Sequence, residues 1–138
     1  MSTPLHHVNE GRSNTVRDHL TELEPKAQRT YTPTQAVLSH SAGVFHWTPE
    51  GRRLYDFTSG VLVSNLGHNP RRWAERLFGY LGWPVSGFSA LHGQGVPAGY
   101  FAAAPLSAYN AVTDMEVEAR RRLVSLLQSG PGGQRLEQ

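Results

Sequence analysis

Cysteine is absent from the chain, which excludes disulfides, thiolate metal sites and cysteine nucleophiles and matches the usage of a reducing compartment. Lysine is almost absent: among 13 basic residues only Lys26 is a lysine, so the basic character is that of arginine. No apolar run approaches the roughly 18 residues of a membrane-spanning helix. The Met-Ser-Thr-Pro start leads into polar sequence without the basic and apolar regions of a secretory leader. These absences lead to the expectation of a cytoplasmic protein with no membrane partner. Three motifs are also missing. There is no G-x-S-x-G nucleophile turn, no G-x-G-x-x-G and no phosphate-binding G-x-x-x-x-G-K, and the glycines of "HGQGVPAG" at 93, 95 and 99 match neither spacing.

What is present is a chain of 138 residues, enough for one domain with a modest core, in which 14 Gly and 9 Pro assign much of the length to turns and loops. Residues 1–12 are polar and aperiodic and read as a mobile tail. In "SNTVRDHLTEL", Val16, Leu20 and Leu23 recur at helical spacing, with Ser13 or Asn14 available as N-cap and Pro25 as the stop. From Ala36 to Phe57 the pattern is that of a hairpin: "AVLSHSAGVFHW" and "RRLYDF" flank "TPEG", a four-residue turn with Pro49 second and Gly51 fourth. Ser39, His40 and Ser41 interrupt the apolar alternation, and Gly43 marks a candidate bulge.

Asn69 and Pro70 then read as N-cap and first helical residue of "RRWAERLFGYLG", whose expected face is Trp73, Leu77 and Tyr80 or Leu81. Residues 83–107 are rich in glycine and proline and read as a long loop that lines a site or lies on a partner. The clearest helix is the last. Thr113 and Glu116 form a T-x-x-E capping box, Val117, Val124 and Leu127 form a stripe with Leu123 beside it, and the "GPGG" at 130–133 ends it.

Several constellations have ordinary explanations. Of seven histidines, His6-His7 are sequence neighbours in the tail, and His40 and His46 lie six apart with no third ligand at a recognisable spacing, so no metal site is expected. The arginine clusters at 52–53, 71–72 and 120–122 would suit phosphates, yet Glu118 stands at ion-pairing spacing from Arg121 and Arg122, and a net charge of +2 does not demand a nucleic-acid partner. Gly67-His68 reads as a strand-to-helix turn in which glycine permits unusual backbone and histidine donates to a carbonyl, the alternative role for His68 being a catalytic base.

The stretch "GRRLYDFTSGVLVSNLGHNP", residues 51–70, resembles the segment that opens the class III aminotransferases, pyridoxal-phosphate enzymes of fold type I. Their pattern is an acidic-glycine turn, an aromatic-Asp-aromatic strand end, a small-Gly-aliphatic step and then Gly-His-x-His-Pro. The second His of that pattern is missing here, where Asn69 runs into Pro70. "SAYNAVTDMEVEARRRLVSLL" resembles the family's next segment, after a gap longer than in typical members.

The resemblance implies an α+β fold, a small antiparallel N-terminal sheet with flanking helices, as the N-terminal segment of a fold type I enzyme. Residues 1–35 would be tail and short helix, and 36–138 the segment leading to a large domain. It implies pyridoxal 5'-phosphate as cofactor of the full-length parent, a homodimer, a small-molecule amino donor (an amino acid or omega-amino compound) and a 2-oxo acid acceptor. By position, Gly60 and Val61 would line the substrate pocket and Tyr109 would face the substrate side chain. The chain itself would carry no catalytic residue. The lysine that anchors the cofactor, its acidic partner and the phosphate turn all belong downstream in that family, and Lys26 lies upstream of the motif. The expectation is therefore an inert N-terminal portion of a longer transaminase that exposes faces meant for the rest of the enzyme. The alternatives are a non-catalytic interaction module and a basic nucleic-acid-binding domain.

Overall fold

The computed structural model describes residues 5–23, 34–84, 95–105 and 111–131. Its chain divides into two compact units, one formed by Met1–Val37 with Asn110–Gln138 and the other by Leu38–Tyr109. Both helices and short strands are present, with a small antiparallel sheet, as an α+β chain requires.

In the first unit, α1 (Gly11–Leu23) and α4 (Asp114–Ser129) are joined by a two-residue strand, β5 (Val112–Thr113), which pairs with β1 (Val37–Leu38) as Val112 N donates to Ala36 O over 2.9 Å. Leu20, Val37, Val112 and Val117 form the core, with Val16 packed against it. Val16 and Leu20 thus bury the face their spacing predicts. The start of α1 differs from expectation. The helix begins at Gly11, two residues before Ser13, which is fully buried inside it, while Asn14 binds both the backbone N–H and the carbonyl of His7. Neither is an N-cap. Residues 5–10 are consequently not loose, since His6 Nε2 lies 2.7 Å from Asp18 Oδ1 and Glu10 takes Arg17.

Arg17 is 2% exposed, and its guanidinium reaches Glu10 Oε2 at 2.7 Å, Asn14 Oδ1 at 2.6 Å and Gln35 O at 3.0 Å. A buried charge is tolerable because it is paired and its donors are used.

α4 starts as its capping box predicts, with Thr113 Oγ1 accepting from Glu116 N at 3.0 Å and Gly130 as C-cap. The expected stripe is buried only at its beginning. Val117 is 5% exposed and Val124 half-buried, but Leu123, Leu126 and Leu127 are exposed. Arg120 binds Glu116, and Arg121 and Arg122 both bind Glu118, as the spacing allows. Those two arginine hydrogen bonds hold the Glu118 carboxyl down at about 2.

The second unit is built on a three-stranded antiparallel meander, β2 (His40–Ala42), β3 (Phe45–Trp47) and β4 (Arg53–Tyr55). The β3–β4 hairpin turns at the predicted "TPEG", where Gly51 N donates to Thr48 O at 2.9 Å and Gly51 has φ 83°. Gly43 is not a bulge. It opens the two-residue connection between β2 and β3, at φ 60°, where Ala42 pairs with Phe45. Register separates the strands into two faces. One carries His40, stacked on Trp47 at 4.9 Å, with Phe45, Tyr55 and Arg53 over the Phe45 ring. The other carries Ser41, His46 and Leu54.

Asn69 and Pro70 behave differently from the helix-start reading. α3 (Arg71–Leu81) begins after Pro70, which occupies the N-cap without a side-chain bond. Asn69 sits at φ 55°, and its buried side chain donates to Ser41 O at 2.8 Å and Ala103 O at 3.2 Å. It ties β2 to the 100–105 segment instead of capping. The buried face of α3 is also rotated from expectation. Ala74 and Phe78 pack with Phe101 and Ala103, while Trp73 and Tyr80 are exposed. Of the long loop, residues 85–94 and 106–107 fall outside the described region. Residues 95–105 lie against the sheet through a Ser41–Ala103 bridge.

Candidate functional site

The residues of the 51–70 motif surround one carboxylate. Asp56 follows β4 and is anchored by its backbone N–H to Val44 O at 2.9 Å. Its Oδ1 accepts from Thr58 N and Thr58 Oγ1, both at 2.8 Å, and its Oδ2 accepts from Gly60 N at 2.9 Å and His68 Nε2 at 2.7 Å. Burial by itself would raise the Asp56 carboxyl, but the His68 bond, joined by those from Thr58 and Gly60, outweighs it and holds the group far below the usual carboxylate range. Asp56 is therefore an anion at neutral pH.

What the carboxylate holds is strained. α2 (Ser59–Leu62) is a single left-handed turn: φ is 51° at Ser59, 57° at Gly60, 62° at Val61 and 67° at Leu62. Left-handed geometry costs an L-residue about 1–2 kcal/mol, and three of these four residues carry a side chain. Hydrogen bonds to a charged group contribute about 1.5–3 kcal/mol each, and Asp56 makes three to Thr58 and Gly60. The anion is thus of the right strength to keep the turn in place. Gly60 is buried, whereas Val61 is half-exposed and Leu62 and Val63 project outward. Of the three expected substrate-side residues, Gly60 and Val61 lie together in this turn, and Tyr109 lies outside the described residues.

His68 arrives from the other side. Gly67, at φ 77°, delivers it to a two-bond bridge with Gly43, N–H to carbonyl at 2.8 and 2.7 Å. The glycine reading holds, since a Cβ on Gly67 would come 2.9 Å from Tyr100 Cε1 and 3.2 Å from Gly43 Cα. The histidine reading is corrected: its side-chain partner is the Asp56 carboxylate, not a carbonyl.

His46 completes the group. Its Nδ1 meets Ser41 Oγ, its Nε2 points at Asp56 Oδ2 from 3.6 Å, and its ring stands 4.5 Å from that of His68. Burial, and then the neighbouring His68, lower its pKa, with Asp56 opposing, so His46 is neutral at pH 7. His40, considered beside His46 in the sequence, lies on the opposite sheet face.

The His46–Asp56–His68 group was not legible as a set, and the expectation of no metal-ligating cluster took no account of it. Half of it could have been found. With "TPEG" as the turn, His46 pairs with Leu54, which puts Asp56 on the same face one diagonal away. His68 reaches the site through the Gly43 bridge, for which no local spacing exists.

Compared with known proteins, 39 residues of the chain are 46% identical to an acetylornithine aminotransferase of Xanthomonas campestris pv. campestris, a match covering 28% of this chain. It spans 10% of the length of that curated relative. No family model matches the chain, and no solved structure matches it.

Proposed function

We propose that the chain is an N-terminal portion of a class III pyridoxal-phosphate-dependent aminotransferase and forms the substrate-side edge of that enzyme. The observation that carries this reading is the 46% identity over 39 residues to an acetylornithine aminotransferase, joined to the motif of residues 51–70. In this reading Gly60 and Val61 face the stem of an amino acid or an omega-amino compound such as acetylornithine, with Tyr109 on the same pocket, and a 2-oxo acid takes the amino group. Val61 offers an apolar contact without a hydrogen bond, which suits an aliphatic stem.

The residues of this chain do not fit the cofactor itself. Covalent anchoring needs a lysine, and the described residues contain none, Lys26 being the single one in the chain. The depressed carboxylate, Asp56, is committed to Thr58, Gly60 and His68. The chain accordingly contributes substrate-facing surface, and the anchors belong to residues beyond it. Exposed apolar side chains at Leu123, Leu126 and Leu127, and at Tyr55 and Phe57, support a chain that normally meets more protein.

The test is to read the coding DNA past codon 138, express the whole frame and assay amino transfer from acetylornithine to a 2-oxo acid. Activity that falls on Val61→Arg, with cofactor content unchanged, supports the reading. A frame that stops at Gln138, with a native mass to match, overturns it in favour of a non-catalytic interaction module.

A further inference from the structure

The geometry points to a binding site for one divalent transition-metal ion, of the zinc type, formed by His46 Nε2, His68 Nε2 and Asp56 Oδ2. One ligand atom from each residue lies within 4.8 Å of the others, Asp56 Oδ2 being 3.6 Å from His46 Nε2 and 2.7 Å from His68 Nε2, and all three side chains are close to fully buried. Two imidazoles and a carboxylate are a donor set suited to such an ion, with a fourth position left for water.

The hydrogen bonds inside the group do not account for all of it. His68 Nε2 and Asp56 Oδ2 satisfy each other at 2.7 Å, but His46 Nε2 has no hydrogen-bond partner among the described residues and stops 3.6 Å short of the same oxygen. That separation is too long for a hydrogen bond. It is close to the ~3.3–3.5 Å between neighbouring ligand atoms of a tetrahedral ion with bonds of about 2.0–2.2 Å. His46 is 8% exposed, so its ring nitrogen is a buried polar atom aimed at an anion with a gap between them. An ion in that gap satisfies both.

The surroundings prepare the ligands. His46 is oriented through Nδ1, which is hydrogen-bonded with Ser41 Oγ, so that Nε2 faces the gap; as a ligand it takes the tautomer that carries the ring proton on Nδ1, donated to Ser41 Oγ. Asp56 is already ionised and keeps Oδ1 occupied by Thr58 while Oδ2 faces both rings. Only the His68–Asp56 contact must change. As a ligand His68 carries its ring proton on Nδ1, leaving the Nε2 lone pair for the ion, and Nε2 and Asp56 Oδ2 separate by about 0.6–0.8 Å to reach ligand spacing. The ion would tie β3, the end of β4 and the turn before α3 at one point, and through Asp56 would stiffen the left-handed turn carrying Gly60 and Val61. The site does not depend on the transaminase reading, since it uses residues of this chain alone.

The experiment uses the whole 138-residue chain, freed of metal with chelator, titrated with CoCl₂ and ZnCl₂ in a His6→Ala/His7→Ala background that removes the adjacent histidines near the N-terminus. Expected results are one equivalent of Co²⁺ with the visible bands of tetrahedral coordination, displacement by Zn²⁺, and a higher Tm with Zn²⁺. Ser41→Ala should weaken Zn²⁺ binding about 10- to 100-fold, and His46→Gln should weaken it further. Because His46→Gln can unfold the sheet, ring-nitrogen NMR of the unsubstituted chain provides the second readout, with the His46 and His68 ring signals alone shifting at one equivalent. The proposal is overturned by the absence of saturable binding, by binding that disappears with His6 and His7, or by ring shifts at other histidines.

Discussion

Gly67→Ala should unfold the second unit far more readily than a left-handed backbone angle by itself would require. At φ 77° an alanine costs about 1–2 kcal/mol through backbone sterics. Its Cβ would also sit 2.9 Å from Tyr100 Cε1, 3.1 Å from Tyr100 Oη and 3.2 Å from Gly43 Cα. The ring has little freedom to withdraw, because Tyr100 Oη donates to Leu66 O at 3.1 Å, and Gly43 is fixed by its bridge to His68. Overpacking of this kind adds about 1–3 kcal/mol, for a total of about 2–5 kcal/mol. Gly51→Ala is the control. Gly51 has φ 83° and nothing within 4 Å of its added Cβ, so it should lose only the backbone term of about 1–2 kcal/mol. The assay is urea unfolding followed by the fluorescence of Trp47, which is buried and stacked on His40. A double-mutant cycle with Tyr100→Ala isolates the clash. In that background Gly67→Ala should cost less than in the unsubstituted chain but still more than Gly51→Ala, because the 3.2 Å approach to Gly43 Cα remains. Equal losses for the two glycines in the unsubstituted chain, or no coupling to Tyr100, would refute the packing argument.

Leu62→Gly should stabilise the second unit by up to about 1 kcal/mol, since Leu62 is exposed at φ 67° and gains nothing from its side chain there; a loss in urea unfolding would show that the turn is not strained. Glu10→Gln should destabilise the first unit by about 2–3 kcal/mol, below the 3–5 kcal/mol of a fully broken buried pair, because Asn14 and Gln35 still bind Arg17; a change under half a kcal/mol, read by thermal melting, would contradict a load on that pair. The pH dependence of α4 follows from Glu118, whose folded-state value of about 2 lies below its ordinary 4.5. A depressed acid contributes stability that is present above its unfolded value and is lost as pH falls, so helicity should decline between about pH 4.5 and 2. The effect should be small and weaken with salt, because both partners are exposed. Circular dichroism that is flat across this window would count against the Arg121 and Arg122 pairing.

Local chemistry made much of this chain readable before its structure. The capping box at Thr113 and Glu116, the "TPEG" turn and the Val16–Leu20 spacing each depend on residues a few positions apart, and each is realised. So is the need for glycine at 67. Long-range competition decided the rest. Asn69 is a good N-cap by residue type, but its amide is drawn instead to the carbonyls of Ser41 and Ala103, a second donor to a pair already bridged by their own backbone bonds. α3 turns Ala74 and Phe78 inward, not Trp73, because Phe101 and Ala103 provide the surface to pack on. Ser13 is buried within a helix that starts earlier than its own capping preference suggests. The candidate site shows the same division. The hairpin register, written in the turn residues, brings Asp56 to His46, whereas His68 joins them only because the chain folds back through the Gly43 bridge, and spacing along a sequence carries no record of a contact made across the fold.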